Sequence, residues 1–249
     1  MQPLETDTLF TPSIPKNLRI YAVGDIHGRA DLLEKMLRMI EADHLGYRGE
    51  SVVVFLGDYV DRGPNSKDVI EILTRGSYGR LKFQCIRGNH EDIVLRLFKD
   101  HSVAPGWFHY GGLQTLRSYG IPIQSATQDF DELFHLRKLF EEKLPPTHKT
   151  FLETLPYTAH FGDYLFVHAG IHPDRPLEQQ DPHHYMWMRE PFLSSDKLLD
   201  VMVVHGHSIR LKPEMRINRI GIDTGAYATG HLTCLVLQGT EQRFLSTVA

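Results

Sequence analysis

The chain has 249 residues, of which 41% are hydrophobic and 23% are charged, and its formal net charge is −4. This length allows one domain, or two small ones, with a sizeable core, and the composition is that of an ordinary globular enzyme. The small negative charge argues against a protein that binds along a nucleic acid or on an anionic membrane. It does not exclude a local basic pocket for one phosphate group.

Neither the N-terminus nor the cysteine content points to export or to a membrane. Met1–Phe10 lacks the basic-then-apolar order of a signal peptide, and no apolar run approaches the ~18 residues that a membrane helix needs. The chain has only two cysteines, Cys85 and Cys234, and each lies in an apolar, strand-like run. We expect two small buried thiols without a disulfide framework, and therefore a cytoplasmic protein.

Three apolar segments in the first hundred residues are each followed by a polar loop and a stretch of helical periodicity. They are Leu18–Val23, Val52–Leu56 and Leu81–Ile86. This alternation of strands and helices predicts an α/β fold with a largely parallel sheet and helices packed on it. Residues 1–17 contain three prolines and little periodicity, and they are predicted to form an extended lead-in.

After Trp107 the pattern changes, with helices first and strands later. Residues 130–144 and 150–155 have helical character, and five strand-like runs follow them: Tyr164–Val167, Val201–Val204, Arg219–Ile222, Leu232–Leu237 and Arg243–Val248. Late strands with few helices between them predict a second sheet packed face to face on the first. Because there is no internal repeat and no clear linker, residues 18–249 are predicted to form a single domain.

Polar side chains follow five of the predicted strands, each at the point where the strand ends. The clusters are Asp25 with His27, then Asp58 with Asp61 and Arg62, then Asn89 with His90 and Glu91, then His168, and finally His207. In open α/β sheets, ligands bind beyond the carboxyl ends of the strands, so these side chains are expected to converge. Carboxylates, imidazoles and one amide oxygen suit divalent ions, and no thiolate is present to suggest a structural zinc site.

Each cluster alone has a simpler explanation. Asp25 could cap a turn, Asn89 is a favoured residue at the start of a helix, and an isolated His168 or His207 is usually a core histidine. The segment 57–63 is the exception, because two aspartates and an arginine at a strand end are costly without a purpose. A metal site is predicted because all five clusters occur, in order, each at a strand end.

Five short motifs lie at these strand ends, and a sixth follows later: GDIHG at 24–28, GDYVDRG at 57–63, GNHE at 88–91, HAG at 168–170, GHS at 206–208 and GIDTGAY at 221–227. Together they resemble the phosphoprotein phosphatase family of metallophosphoesterases, in particular its small bacterial branch, which includes the bacteriophage lambda phosphatase. The similarity runs from about Leu18 to Leu237. It implies a four-layer αββα sandwich of two mixed sheets flanked by helices, which agrees with the two predicted sheets.

The resemblance also implies a pair of bound metal ions. The ligands of the first ion would be Asp25, His27 and Asp58. Asp58 would also bridge to the second ion, whose remaining ligands would be Asn89, His168 and His207. We expect Mn²⁺, because oxygen-rich mixed sites accept it and small bacterial relatives commonly use it, with iron and zinc as alternatives.

The expected mechanism follows from charge. Two cations about 4 Å apart can lower the pKa of a shared water from roughly 15.7 towards neutrality, and the resulting hydroxide is expected to attack phosphorus in line. Arg62, together with Asn89, is expected to hold phosphate oxygens. His90 is predicted to be the general acid for the leaving alkoxide, with Asp61 orienting and charging it; the resemblance implies the same two roles.

Arg189 resembles the second phosphate-binding arginine of the family. It lies in the segment Trp-Met-Arg-Glu at 187–190. The alternative is a surface arginine that pairs with a nearby carboxylate.

The leading hypothesis is a phosphomonoesterase that acts on phosphoserine or phosphothreonine in proteins, with phosphotyrosine as a further substrate. The second hypothesis keeps the site but changes the substrate to a dinucleoside polyphosphate, such as diadenosine tetraphosphate, or to polyphosphate. The motifs do not separate these substrates. Residues 101–160 are expected to form part of the cleft wall and to discriminate between them.

Two further hypotheses are disfavoured. Nucleases and phosphodiesterases of the wider group often carry Gly-Asn-His-Asp and Gly-His-x-His, whereas Glu91 and Ile209 occupy the deciding positions here. A scaffold with a degenerate site is disfavoured because every proposed ligand and the proposed acid are present. The chain also lacks the Ser-Ala-Pro-Asn-Tyr segment of the eukaryotic protein phosphatases, so no regulatory subunit is implied.

Overall fold

The first sheet places three polar loops side by side. The computed structural model describes residues 11–248, and the first sheet consists of β1 (Leu18–Val23), β2 (Glu50–Phe55), β3 (Ser77–Tyr78), β4 (Leu81–Cys85), β10 (Thr233–Gln238) and β11 (Glu241–Ser246). Their order is β11-β10-β1-β2-β4-β3. β1, β2 and β4 are parallel, with Val23 opposite Phe55 and Phe55 opposite Cys85. The loops after these three residues therefore leave the sheet at the same edge.

The second sheet brings two further polar loops to one edge. Its strands are β5 (Thr158–Phe161), β6 (Tyr164–Val167), β7 (Met202–His205), β8 (Glu214–Met215) and β9 (Arg219–Gly221), in the order β5-β6-β7-β9-β8. β6, β7 and β9 are parallel. His168 follows β6 and His207 follows β7, so both histidines lie at the carboxyl edge of this sheet.

The last two predicted strands lie in the first sheet, so their assignment to the second sheet was wrong. β10 pairs antiparallel with β1, with Cys234 opposite Val23, and β11 pairs with β10. The physical reason is burial, because Thr233 to Leu237 are all buried, as suits an inner strand of a sheet that is covered on both faces. The first sheet is consequently mixed, and only β1, β2 and β4 form its parallel part.

Apolar side chains between the two sheets form the central core. Ile20 and Leu235 of the first sheet belong to the same buried cluster as Phe166 and Val204 of the second. A larger cluster lies on the other face of the first sheet, where strand residues such as Phe55 pack against helices. The two mixed sheets flanked by helices confirm the predicted fold class.

Nine helices occur in the described part of the chain. They are α1 (Ala30–His44), α2 (Ser66–Leu73), α3 (Asn89–Leu97), α4 (Ala104–His109), α5 (Gly112–Ser118), α6 (Phe130–Lys143), α7 (Pro146–Thr154), α8 (Pro182–Trp187) and α9 (Ala226–Thr229). Two short 3-10 helices lie at His101–Val103 and Leu177–Gln179. The outer face of the second sheet is covered mainly by loops between residues 171 and 199, together with α8.

The predicted lead-in is only partly within the described residues, because residues 1–10 lie outside them. In the described part, Ile14 is buried between the two sheets and its N–H donates to the carbonyl oxygen of Gly239 at 2.8 Å. This end of the segment is therefore anchored to the sheets. The division into a lead-in and a single domain over 18–249 stays a prediction.

Both cysteines lie in the core, as predicted from their sequence context. Cys85 and Cys234 are buried, and neither forms a disulfide. Within residues 11–248, every helix is too short or too polar to cross a membrane.

The face-to-face packing of the two sheets predicts a large loss of stability when a side chain at its centre is shortened. Phe166→Ala is expected to lower the free energy of unfolding by about 3–5 kcal/mol, because Phe166 is fully buried between the sheets. Urea unfolding at a fixed metal concentration measures this change. Phe130→Ala is the matched control, since that ring is 63% exposed and its loss should change stability by less than about 0.5 kcal/mol. Equal losses at the two positions would contradict the packing.

Candidate metal centre

The polar loops of the two sheets meet at one cavity of about 270 Å³. Eight of the ten residues predicted as site residues line it: Asp25, His27, Asp58, Arg62, Asn89, His90, Arg189 and His207. The other two, Asp61 and His168, are fully buried behind the wall. Asp61 contacts His90, and His168 contacts Asn89. The structure therefore brings all ten residues together.

The loops that carry these residues have an unusual backbone. Among residues 11–248, six residues other than glycine have a positive φ, and five of them are predicted site residues: His27, Asp58, Asp61, Arg62 and His207. Left-handed conformations are disfavoured for residues with a Cβ and persist only where the surrounding structure enforces them. Their concentration around one cavity is typical of a functional site.

Asn89, His168 and His207 form a compact group of ligand atoms with Asp58. The Nδ1–H of His168 donates to the carbonyl oxygen of Leu56 at 2.8 Å, which leaves a lone pair on Nε2. That lone pair faces Oδ1 of Asn89 at 2.8 Å and Oδ1 of Asp58 at 3.4 Å. Nδ1 of His207 lies 3.0 Å from the same amide oxygen. Because the two oxygens cannot donate a hydrogen to this lone pair, the donor set fits a divalent cation.

His27 approaches Asp58 from another direction. The Nδ1–H of His27 donates to the carbonyl oxygen of Val60 at 2.8 Å, so its Nε2 lone pair faces Oδ2 of Asp58 at 3.5 Å. Oδ1 of the same carboxylate faces His168. One carboxylate can in this way serve two cations, which fits the predicted bridging role of Asp58.

Burial keeps the three candidate ligand histidines neutral. It lowers the pKa of His27 to about 3, and burial together with His168 lowers the pKa of His207 to about 2. Burial also lowers the pKa of His168, although the charge of Asp58 opposes this shift. The neutral imidazole is the form that binds a metal ion, so the electrostatics agree with the geometry.

Asp25 lies on the same wall beside a further carboxylate, Asp223. Both carboxylate oxygens of Asp25 accept the N–H of His207, at 3.2 and 3.1 Å. Burial, followed by the charges of Asp223 and Asp58, raises the pKa of Asp25 well above its usual value, and burial raises the pKa of Asp223 to about 6. Carboxylates crowded in this way stay ionised only beside positive charge, which bound cations supply.

Sequence reasoning assigned no role to Asp223. Its signal was available, since Asp223 lies just after the end of β9 and within the motif at 221–227. The predicted ligand role of Asp25 stays a prediction, while its position on the cavity wall is observed.

His90 differs from the other three histidines. Its Nδ1–H donates to Oδ2 of Asp61 at 2.6 Å, and its Nε2 lies 3.7 Å from Oδ2 of Asp58. Burial disfavours the charged ring, but the charge of Asp58 and the hydrogen bond to Asp61 outweigh it and raise the pKa of His90 to about 9. Its Nε2 lies close to His27 and Asp58, a position that would also suit a metal ligand, whereas the raised pKa favours a proton donor.

Two arginines keep their charge available to the cavity. Arg62 donates from Nη1 to the hydroxyl of Tyr227 at 2.7 Å, and its guanidinium lies 4.6 Å from the centre of that ring. Arg189 donates to Oγ of Ser208 at 3.1 Å and to the carbonyl oxygen of His207 at 3.3 Å. These partners are all neutral, so both guanidinium groups are oriented without being neutralised. Tyr227 was not predicted, although it ends the motif at 221–227.

Glu91 fastens two of the site loops to each other. Its carboxylate accepts the N–H groups of Asp58 and Tyr59 at 2.8 Å each, and that of Gly88 at 3.0 Å. Burial and the charge of Asp58 raise the pKa of Glu91 to about 7. Glu91 stands three residues after Gly88 at the start of α3, where a glutamate commonly closes a helix cap. It therefore stabilises the left-handed conformation of Asp58.

Comparison with known proteins places this cavity in a family. Residues 18–232 match the family described as calcineurin-like phosphoesterase, which covers most of the chain. The chain is a calcineurin-like phosphoesterase. The relationship to metallophosphoesterases predicted from the motifs is thereby confirmed, and members of this family use divalent metals in hydrolysing phosphate esters.

Relatives of this phosphoesterase cover nearly its whole length. The bis(5'-nucleosyl)-tetraphosphatase PrpE of Oceanobacillus iheyensis is 25% identical over 93% of this chain and 93% of its own. The serine/threonine-protein phosphatase 1 of Salmonella typhimurium is 28% identical over 90% of this chain and 94% of its own. The crystal structure of a candidate diadenosine tetraphosphatase matches with a TM-score of 0.62 at 25% identity, covering 92% of this chain and 93% of that one. These relatives agree on phosphate hydrolysis and differ in the substrates that their names give.

Proposed function

We propose that this phosphoesterase binds two divalent metal ions and hydrolyses phosphomonoesters. The ligands of one ion would be Asp25, His27 and Asp58, and those of the other would be Asp58, Asn89, His168 and His207. Two ions are supported by the lone pairs that face the two oxygens of Asp58 separately. We propose Mn²⁺, because sites with mixed oxygen and nitrogen ligands accept it, with iron and zinc as alternatives.

The metal ions and the chain have separate tasks in this mechanism. Bound divalent ions supply Lewis acidity and make a water nucleophilic near neutral pH. The chain positions the substrate, because Arg62 and Arg189 can each fork onto phosphate oxygens in the cavity and Asn89 lies at the same wall. This holds phosphorus in place for an in-line displacement.

The proposed general acid is His90. Its Nδ1–H is held by Asp61, and its Nε2–H lies at the cavity wall. As the P–O bond to the leaving group breaks, the proton on Nε2 passes to the leaving oxygen, so that an alcohol departs instead of an alkoxide. Asp61 orients the ring and stabilises its positive charge.

The size of the cavity suits a phosphate group that projects from a larger substrate. About 270 Å³ lies below the roughly 300–1,000 Å³ of pockets that enclose drug-sized ligands, so the cavity suits a phosphate group and the first atoms of its leaving group. Tyr110 and Ile209 at its wall are 47% and 43% exposed, and they offer a surface to the rest of a large substrate. We therefore propose phosphoserine and phosphothreonine in proteins as substrates, with phosphotyrosine as a further one.

A dinucleoside polyphosphate is the second candidate substrate. The relatives named as tetraphosphatases favour it, and so does Trp187 at the cavity wall, whose ring stacks on His183 outside the wall with ring centres 6.0 Å apart. A nucleobase can stack on such a surface. Diadenosine tetraphosphate and polyphosphate would extend beyond the cavity, as a phosphorylated protein also does; we rank them second because the exposed Tyr110 and Ile209 offer a surface to a protein chain.

A comparison of three substrates tests this ranking. We expect the Mn²⁺-loaded protein to hydrolyse a phosphoserine peptide with a kcat/KM at least about 10-fold above that for diadenosine tetraphosphate or polyphosphate, because the exposed Tyr110 and Ile209 can contact a peptide beside the cavity. Phosphate release is measured for the three in parallel, and again with Fe²⁺ and Zn²⁺, with chelator-treated protein as the blank. A higher kcat/KM for diadenosine tetraphosphate would select the second candidate. Failure to hydrolyse any of the three with any metal would reject both.

The proposed cellular location and binding partners follow from the composition of the sequence. We propose that the protein acts in the cytoplasm on a phosphorylated protein or a small phosphoester. Nucleic acid, membrane and regulatory subunit have no part in this proposal.

A further inference from the structure

The hydrogen-bond acceptor of the buried Trp107 is a residue of the proposed catalytic site. Trp107 lies in α4, is almost fully buried, and stacks on Phe140 with ring centres 5.9 Å apart. Packing alone would explain a tryptophan here. However, its indole Nε1–H donates to Oδ2 of Asp61 at 2.8 Å, and Asp61 is the partner of His90. The residue therefore connects the helices outside the sheet with the proposed acid.

Thr115 in α5 holds the other oxygen of the same carboxylate. Its Oγ1–H donates to Oδ1 of Asp61 at 2.6 Å. The same Oγ1 accepts the N–H of Asp61 at 2.9 Å, and this N–H also lies 3.0 Å from Oγ of Ser66. Asp61 is fully buried, so its carboxylate depends on protein groups for its hydrogen bonds. Three side chains donate to its two oxygens: Trp107 and His90 to Oδ2, and Thr115 to Oδ1.

The turn between α4 and α5 is shaped to permit this contact. A Cβ on Gly112 would lie 2.3 Å from Cδ2 of Trp107, so only glycine lets the ring pack against the turn. A Cβ on Gly111, whose φ is +99°, would lie 2.3 Å from the backbone nitrogen of Arg62. The carbonyl oxygen of Gly111 also accepts the N–H of Arg62 at 3.3 Å. The two glycines thus bring the helices close to the loop that carries Asp61 and Arg62.

We infer that Trp107 and Thr115 are positioning residues that lock the carboxylate of Asp61, so that Nδ1–H of His90 stays engaged and its Nε2–H stays aimed into the cavity. This inference rests on the proposed function, since it assumes that His90 protonates the leaving group. If one oxygen of Asp61 had no donor, the carboxylate could rotate about its Cβ–Cγ bond. The imidazole of His90, which it holds, would then no longer keep one orientation. The two donors remove that freedom at both oxygens.

The inference predicts a defect that depends on the leaving group. Protonation matters most when the departing oxygen is strongly basic and little when it is a stable anion. Removing either donor is therefore expected to slow the hydrolysis of phenyl phosphate, which has a poor leaving group. The same change should leave the rate of hydrolysis of 2,4-dinitrophenyl phosphate, which has a good leaving group, almost unchanged. A purely structural role for either residue would slow both substrates alike.

The test uses Trp107→Phe and Thr115→Val, which remove the donors but keep most of the shape. In the metal-loaded protein, we expect kcat for phenyl phosphate to fall by about 10–100-fold, as for other residues that orient a functional side chain. We expect kcat for 2,4-dinitrophenyl phosphate to change by less than about 3-fold, with KM and metal content unchanged. Thr115→Ser keeps the hydroxyl and should restore the rate on phenyl phosphate.

Tyr119→Phe is the matched control. Tyr119 packs on Phe140 as Trp107 does, and it loses a buried polar contact, with His148, that does not involve Asp61. It should affect both substrates equally and only slightly. Equal losses on both substrates in the Trp107 and Thr115 variants, or wild-type rates on both, would overturn the inference. If the wild-type protein hydrolyses neither aryl phosphate, the proposed function fails first, and the inference fails with it.

Discussion

Replacing His90 by asparagine is expected to lower kcat by roughly 10²–10⁴-fold while both metal ions remain bound. Burial lowers the pKa values of His27, His168 and His207, whereas Asp58 and Asp61 raise the pKa of His90 to about 9, which is why His90 is the proposed proton donor. The measurement is kcat for phenyl phosphate, combined with metal analysis of the purified variant. His160→Asn, which changes an exposed histidine on β5, is the control and should behave as wild type.

Two outcomes would contradict this assignment in different ways. Normal turnover of a substrate with a poor leaving group would remove His90 from the role of acid. Loss of one metal ion from the variant would instead assign its Nε2 as a ligand, since that atom lies among the ligand atoms of His27 and Asp58. The two measurements together therefore separate proton donation from metal binding.

Replacing Asp58 by asparagine is expected to weaken the binding of both metal ions. Oδ2 of Asp58 faces His27 and Oδ1 faces His168, so one substitution removes charge from both sides of the site. Changes to residues that only orient a ligand typically cost 10–100-fold in metal affinity, so we expect at least about 100-fold for each ion here. Activity should fall below detection at low micromolar metal, because both Lewis acids are lost together.

Titration against a competing chelator measures the two affinities in this variant. Asp196→Asn, at an exposed aspartate, is the control for the same change of charge away from the cavity. Two full sites with wild-type affinity in the Asp58 variant would remove this residue from the bridging role. Loss of one ion alone would make Asp58 a ligand of a single metal.

The predicted strands were placed well where their apolar runs are uninterrupted. β1 and β6 have the predicted bounds, because each is a short run of buried residues that ends at a turn signal. The shortest elements were missed, including β3, β8 and α4. Elements this short have little intrinsic stability, and tertiary contacts form them.

Nine of the ten candidate site residues could be predicted because their placement follows a general rule, whereas Arg189 follows α8 and was assigned from the family resemblance alone. Parallel strands end at one edge of a sheet, so chemistry at successive strand ends converges whatever the distance along the chain. This rule does not find residues whose proposed role is to position another side chain. Trp107 and Thr115 lie on helices far from any strand end, and nothing in their local pattern distinguishes a donor to Asp61 from ordinary core packing.

The amino-acid sequence by itself determined the family, the alternation of strands and helices, and the set of side chains at the strand ends. It did so because periodicity and motif spacing are local properties of a chain. Only the tertiary structure decided that β10 and β11 complete the first sheet and that Asp223 joins Asp25. It also decided that the pKa of His90 is raised while that of His27 is lowered. Strand pairing, burial and pKa depend on which distant groups become neighbours, and that is settled only when the chain packs.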